Sequence, residues 1–378
     1  MNNHKKKGMV PKLRFPEFRG EDEWQLKALS NCLDYLQPTN YLVTSTAYDD
    51  KYPTPVLTAG KTFILGYTNE NSGILHEYLP VIIFDDFTTA SKYVDFPFKI
   101  KSSAIKILRA KKDISIRFVY ESMQNIQFDT ATHKRHWISV FSEIKIPATN
   151  ILEQQKIADC LSSLDELITA HTQKLALLKS HKKGLMQQLF HGEGKTIPEL
   201  RFAEFKDAES WSIKPFHDLF TIGNGKNYKH LSKGDVPVYG SGGYMLSVND
   251  FLYNGESVCI GRKGTIDKPV FLSGKFWTVD TLFYTHSFKE CLPKFIYIIF
   301  QNIIWLNFNE AGSIPSLSKS NIAKIEVAIP NVDEQQKIAD CLSSLDELIT
   351  AYTQKLALLK SHKKALMQQL FPDIDGIN

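Results

Sequence analysis

From residue 157 to residue 189 apolar side chains return at intervals of four and three. Ile157, Leu161, Leu164, Ile168, Leu175, Leu178, Leu185 and Leu189 mark the positions, and His171 and Lys182 fill the two gaps in the rhythm. A spacing that averages three and a half residues is the seam of a coiled coil. Leu167, Leu177 and Met186 widen the stripe, which predicts a helix packed on more than one neighbour. The same pattern returns from Ile338 to Leu370. At about 1.5 Å per residue, some 37 residues of helix make a rod of roughly 55 Å. Elsewhere the apolar runs are short and of β type. Pro80–Phe84, Ala104–Leu108, Asp235–Tyr239, Ser257–Ile260 and Lys324–Ile329 are examples, with turn residues at Tyr48–Lys51 and Thr68–Gly73. A further helical stretch is predicted from Leu292 to Phe308.

The two rods are copies. Glu153–Phe190 recurs as Glu334–Phe371, an offset of 181 residues, and within it only His171→Tyr352 and Gly184→Ala365 differ. A shorter repeat precedes each globular part: Pro11-Lys-Leu-Arg-Phe-Pro-Glu-Phe18 matches Pro198-Glu-Leu-Arg-Phe-Ala-Glu-Phe205, each followed by a tryptophan, Trp24 or Trp211. The chain therefore reads as two units, each a variable part followed by a common helix. Antiparallel pairing of the rods is expected to put the variable parts at opposite ends and to bring His171 and Tyr352 together as seam fillers. Polar positions outside the seam, Gln154, Gln155, Lys156 and Asp159 with their counterparts Gln335, Gln336, Lys337 and Asp340, are identical in both copies. Matching surfaces of this kind suit two copies of one partner, as pseudo-two-fold symmetry requires.

Composition narrows the class without naming it. With 43% hydrophobic and 23% charged residues the chain is that of a folded protein, and no apolar run reaches bilayer length. The basic start lacks the apolar segment of a secretory signal, and five scattered cysteines without a Cys-x-x-Cys indicate reduced thiols. A cytoplasmic location is expected. The net charge of +4 permits nucleic-acid binding. Catalytic signatures fail. Ala59-Gly60-Lys61-Thr62 has Pro55 where a phosphate loop needs its first glycine, and Gly192-Glu-Gly-Lys-Thr196 has Leu189 there. Gly240-Ser-Gly-Gly243 lacks dinucleotide spacing, and no zinc-protease or nucleophile-elbow motif occurs. Asp85-Asp86 has no second acidic cluster beside it and reads as a turn or solvated pair rather than a metal site.

Pro237-Val-Tyr-Gly-Ser-Gly-Gly243, Gly255–Thr265, Gly274–Tyr284 and Gly312–Asn321 ahead of Glu-Gln-Gln-Lys-Ile resemble the recognition domains of type I restriction-modification specificity subunits. The first half carries its own version in Thr54–Lys61, Phe84–Thr89 and Lys99–Ala104, with Asp85-Asp86 where the second half has Gly261-Arg262. The resemblance implies an α+β fold. Two target-recognition domains of mixed or antiparallel sheet with helices, residues 21–147 and 198–330, are separated by two long helices, 150–190 and 333–371. An N-terminal segment, 1–20, and a linker, 191–197, complete the chain. The helices form an antiparallel coiled coil with pseudo-two-fold symmetry. The resemblance also implies a non-catalytic subunit that reads a two-part double-stranded DNA target. Its partners would be two methylation subunits, which bind S-adenosylmethionine, and two restriction subunits, which use ATP and Mg²⁺; this chain would hold no cofactor or metal itself.

Phosphate contacts give affinity and register, and base-edge contacts give sequence. Lys61, Lys99, Lys101, Lys134, Arg135, Arg262, Lys263, Lys275 and Lys319 are the expected phosphate ligands. Ser102, Ser103, Tyr239, Ser241, Tyr244 and Ser318 carry hydroxyls suited to base edges. Gln154, Gln155, Lys156 and Asp159, with Gln335, Gln336, Lys337 and Asp340, are the expected partner-binding set. If the rods act as a ruler between readers, deleting one heptad from each should re-space or weaken the recognised target. Methylated-base sequencing would read the spacer, and an unaltered one would refute the ruler.

Overall fold

A computed structural model describes residues 9–126, 137, 140–190 and 197–373. Two helices of 39 residues, Ile151–Leu189 and Val332–Leu370, run through it. The chain divides into two compact units, one built from residues 1–172 and 355–378 and the other from 173–354. Each unit thus owns one recognition part, the first half of one long helix and the second half of the other.

In the first unit a four-stranded antiparallel sheet runs Leu33–Leu36, Ile105–Ala110, Val81–Asp85, Ser91–Val94. Below it lies a three-stranded sheet, Ile64–Thr68, Thr54–Leu57 and Lys99–Ile100, whose last pair is parallel. The central strand explains the layering. Ile82 and Phe84 face a cluster with Phe118, Leu161 and Phe371, while Val81 and Ile83 face Leu57, Phe98 and Ile100. A strand buried on both faces reads as a continuous apolar run, which is why the sequence marked it so clearly. The helix Ile116–Gln124, capped by Ser115, covers the upper face. It was not anticipated, because its apolar positions are interleaved with Arg117, Tyr120 and Glu121.

The second unit repeats the plan. Its sheets run Thr221–Asn224, Leu282–His286, Ser257–Gly261, Val270–Leu272 and Gly243–Val248, Lys233–Gly240, Lys275–Thr278, Tyr253–Asn254. The helix Pro293–Asn302 takes the place of Ile116–Gln124 and ends sooner than the pattern to Phe308 suggested, since Trp305–Phe308 turns off as a separate 3₁₀ segment. In each unit a two-stranded ribbon leads toward the long helix, Gln25–Ala28 with Lys145–Ala148 and Ser212–Pro215 with Glu326–Ile329. The repeated tryptophan packs identically: Trp24 meets Phe118 and Phe371, and Trp211 meets Phe295 and Phe190.

Within each unit the two half-helices run in opposite directions. Lys363 reaches Asp165 at 2.7 Å in the first unit, and Lys182 reaches Asp346 at 2.6 Å in the second. These are the same two repeat positions with their roles exchanged. The expected seam residues are buried or half-buried, whereas Leu167 and Leu177 stay exposed. What the recognition helix adds to the ion pair differs between units. Arg117 and the fully buried Glu121 join Asp165 and Lys363, while in the second unit Gln301 lies 3.5 Å from Lys182 and Ile298 stands where Glu121 does.

The start of each long helix is its most constrained point. Asn150 accepts the Glu153 amide at 2.9 Å, and Asn331 accepts that of Glu334 at the same distance, which satisfies helix-terminal donors. The Glu153 carboxylate, buried, takes two bonds from Arg14 at 2.8 Å, and Glu334 takes two from Arg201 at 2.8 and 2.7 Å. Hydrogen bonding to that carboxylate raises both guanidinium groups above their ordinary pKa. The conserved sense of the short repeat is therefore a guanidinium aimed at the helix start. A buried charge stripped of its partner costs about 3–5 kcal/mol, whereas an apolar replacement of both partners is far cheaper. Arg14→Ala should therefore lower the urea midpoint strongly, and the pair Arg14→Met with Glu153→Leu much less. Equal losses would show that packing, not the buried charge, sets the cost.

Candidate nucleic-acid interface

In the second unit four segments from distant parts of the chain meet at one end of the small sheet. The hairpin formed by Lys233–Gly240 and Gly243–Val248 turns at Ser241 and Gly242 and enters its second strand at Gly243, whose φ of 109° suits glycine. Beside it the turn after Ser257–Gly261 carries Arg262 and Lys263. Gly261 permits that turn, because a Cβ there would fall 1.9 Å from the Thr265 carbonyl oxygen. The Arg262 amide donates to Thr281 at 2.8 Å, the Leu317 amide donates to Arg262 at 2.9 Å, and the Gly264 amide donates to Pro315 at 2.9 Å. Gly264 also lies against the Ser241 hydroxyl, 3.3 Å from where its Cβ would stand. Ser241, Arg262 and Lys263 thus share one surface with the 315–319 segment, and Arg262 and Lys263 are exposed; Tyr244 lies in the same hairpin, its ring 6.1 Å from that of Tyr239.

The first unit builds its equivalent from fewer parts. Lys61 is exposed in the hairpin loop 58–63. The Lys101 amide donates to Leu57 at 3.2 Å, which brings Lys101, Ser102 and Ser103 beside that hairpin. The Lys101 ammonium stands 5.9 Å over the Tyr48 ring. The turn after Val81–Asp85 follows, tied by the Asp86 amide to Ala104 at 3.0 Å.

Several expected ligands are otherwise engaged. Lys99 is 3% exposed, pairs with Glu70 at 2.9 Å and donates to the Ser72 carbonyl at 2.6 Å. It lies on the sheet interior where the second unit has Trp277, so it cannot meet a phosphate. Burial pushes the Glu70 carboxyl up, but the Ser45 amide, the Lys99 ammonium and the Thr44 hydroxyl and amide outweigh it and hold the group at about 2. Tyr239 packs on the cluster of Cys259, Phe276 and Leu282 and belongs to the core. The Ser318 oxygen caps the short helix Lys319–Ala323 through the Asn321 amide at 3.2 Å, so it is not free to read a base. The Tyr244 hydroxyl lies 3.1 Å from Ser247 Oγ on its own strand. Lys275 stands over the Phe251 ring at 5.0 Å, at the far end of its strand from the hairpin turn, about 10 Å from Thr278. Lys134 and Arg135 lie outside the described residues.

Two of the expected partner-binding residues are internal. Gln154 is buried, accepts the Ser115 amide at 3.0 Å and donates to the Thr149 carbonyl at 2.7 Å. Gln335 is buried likewise, accepting the Leu292 amide at 2.8 Å and donating to Glu290 and Pro330, both at 2.9 Å. Each glutamine locks the recognition helix onto the long helix, and that suffices to keep it in both copies. Gln155, Lys156, Asp159, Gln336, Lys337 and Asp340 remain exposed, with Lys156 paired to Glu17 at 3.1 Å and Lys337 to Glu204 at 2.9 Å.

The acidic pair is structural. Asp85 accepts the amides of Phe87 and Thr88 at 2.9 Å, a turn as expected, but Asp86 is buried rather than solvated, accepts the Trp137 amide at 2.8 Å and lies 3.8 Å from Lys106. Among the described residues no cluster of three metal-ligating side chains occurs, and no helix is long and apolar enough to cross a membrane.

Each unit thus presents a loop cluster with exposed lysine or arginine side chains at one end of a sheet, on a frame that is the same in both. The family model for the type I restriction modification DNA specificity domain matches residues 2–180 and 208–361. The chain is 31% identical over 369 residues to the EcoR124I/EcoR124II type I specificity subunit of Escherichia coli, covering 89% of each. It is 25% identical over 279 residues to the MjaVIII specificity subunit of Methanocaldococcus jannaschii, covering 61% of this chain and 62% of that one. The crystal structure of the S subunit of a type I system from M. genitalium shares the fold, with a TM-score of 0.76 at 18% identity over 97% of this chain and all of that one. The chain belongs to the type I restriction-modification specificity subunits, which supply DNA sequence specificity and are not themselves catalytic.

A lysine that neutralises one phosphate lowers the salt slope of binding by about one when it is removed. Lys263→Ala should weaken binding of the assembled complex to all sequences alike and flatten the slope of log K against log salt by about one. Lys99→Met should destabilise the fold and leave that slope unchanged. Fluorescence anisotropy across a salt series would check both, and an unchanged slope for Lys263→Ala would remove it from the interface.

Proposed function

We propose that the chain reads a split double-stranded DNA target, one half-site for each recognition part, and carries the catalytic subunits onto it. The observation that supports this most is the repeated frame. The residues that hold a recognition part in place, Arg14, Glu153 and Gln154 in one unit and Arg201, Glu334 and Gln335 in the other, are the same, whereas the loops they present are different. A frame kept constant beneath unlike loops suits two readers of unlike sequences. Two methylation subunits dock on the equivalent surfaces marked by Gln155, Lys156, Asp159 and by Gln336, Lys337, Asp340, and two restriction subunits complete the assembly. S-adenosylmethionine belongs to the methylation subunits, and ATP and Mg²⁺ to the restriction subunits. The reaction they perform is adenine N6 methylation or, in a restricting complex, cleavage. A methyltransferase must swing its base out of the duplex, so the reader's part is to hold the DNA in fixed register.

Co-expression with its methylation subunit, followed by methylated-base sequencing, tests the proposal. One split motif should appear only when this chain is present, and exchanging residues 21–147 for another recognition domain should change one half of it alone. A soluble complex that leaves the host DNA unmethylated, or an exchange that leaves the motif as it was, would overturn it.

A further inference from the structure

The two recognition parts share little sequence, yet their small sheets carry the same irregularity at the same place. In the first unit Val56 pairs with Gly66 and Leu57 with Ile64, so Leu65 is an extra, unpaired residue. In the second, Val238 pairs with Leu246 and Tyr239 with Tyr244, which leaves Met245 extra. The third strand fixes the equivalence independently, since Val56 and Leu57 lie beside Lys99 and Ile100 as Val238 and Tyr239 lie beside Trp277 and Thr278. A bulge bends its strand and re-aims the side chains around it. Here it turns two apolar residues outward in each unit: Ile64 is 38% and Leu65 39% exposed, and Tyr244 is 62% and Met245 48% exposed.

Exposed cations lie beside each bulged hairpin, but they come from different elements. In the first unit Lys101 follows the strand beside Leu57. Tyr48 supports it and packs down against Gly66, where a Cβ would fall 2.7 Å from the Tyr48 Cβ. In the second unit the residue at the place of Lys101 is Val279, whose amide donates to Tyr239 at 2.9 Å. Arg262 and Lys263 supply the charge there instead, tied to the hairpin through Thr281 and Ser241. An exposed apolar pair near cations, recurring in two recognition parts that share little sequence, suits a duplex groove, where phosphates line the rim and thymine methyl groups offer apolar contact among the hydrogen-bonding base edges of the floor. The Tyr244 hydroxyl lies 3.1 Å from Ser247 Oγ, and the exposed ring adds an apolar face beside it.

Resting on the reading above, we propose that Ile64–Leu65 and Tyr244–Met245 are the base-contacting tips of the two recognition parts. Each pair is presented by its bulged hairpin as a two-stranded ribbon in the major groove and discriminates by apolar contact with base edges. The two pairs act on different half-sites.

The test uses the full chain assembled with its methylation subunit and compares Ile64→Ser with Leu65→Ser, Tyr244→Ser with Met245→Ser, and Tyr244→Phe. All are surface positions on the hairpins, so the variants should assemble as the parent does. The first double variant should relax the methylated motif at positions of one half-site, with discrimination there falling about tenfold or more, and the second should do so at the other half. Both should keep the salt slope of the parent, and Tyr244→Phe should keep the parent's motif. An unchanged motif in both double variants, or a loss confined to the salt slope, would overturn the proposal. Failure of the variants to assemble with the methylation subunit would assign the apolar pairs to a protein contact and overturn it equally. If the parent complex itself yields no split motif, the half-site reading fails first and takes this inference with it.

Discussion

Everything the recognition parts do depends on a carboxylate and an amide buried at the start of each long helix. Glu153 holds the preceding segment through Arg14, and Gln154, the next residue, holds the recognition helix through the Ser115 amide. Two adjacent positions on one helical turn thus connect three pieces of chain that are distant in sequence. Their burial leaves no water to replace a lost partner, which is why these bonds carry more consequence than the many exposed pairs along the rods. Glu334 and Gln335 repeat the arrangement.

The consequence is a division of labour within each unit. The frame is specified by a few buried polar bonds and by an aromatic trio of tryptophan and two phenylalanines. The sheets farther from the helices are held by their own apolar clusters, around Phe98 and Ile100 in one unit and Val238 and Trp277 in the other. The hairpins at the ends of these sheets rest on those clusters, whereas the turn before Ile266 and the segment around Leu317 are anchored on the same core as the long helices.

Much of this was legible in the chain. The repeat, the seam and the doubly buried strand near Ile82 declare themselves, because their periodicities follow from helix and strand geometry. What sequence could not assign was the direction of individual polar groups. Gln154 sits among residues that do face solvent, and only the recognition helix laid over it makes it internal. Lys99 lies beside exposed Lys101, and the alternation of a strand of just two residues gave no sign of which points inward. A partial signal for Ser318 was present, since serine is a favoured residue at the start of a helix. The bulged hairpins were missed because a single extra residue leaves no periodic trace. Tyr244 was singled out for its oxygen, whereas the structure sets that oxygen beside Ser247 and exposes the ring as well.

The four-group ion cluster of the first unit gives the duplicated frame a wider meaning. Each half of the helix pair offers a lysine and an aspartate to whatever recognition helix settles there, Lys363 with Asp165 or Lys182 with Asp346. At the first, the recognition helix adds Arg117 and Glu121 to the pair; at the second it brings only Gln301 near, and apolar Ile298 stands at the place of Glu121. Because the lysine and aspartate already neutralise each other, either insertion is met without an orphaned charge. The frame thus behaves as a socket indifferent to polarity, holding a charged plug in one unit and a neutral one in the other while its own lysine and aspartate stay the same.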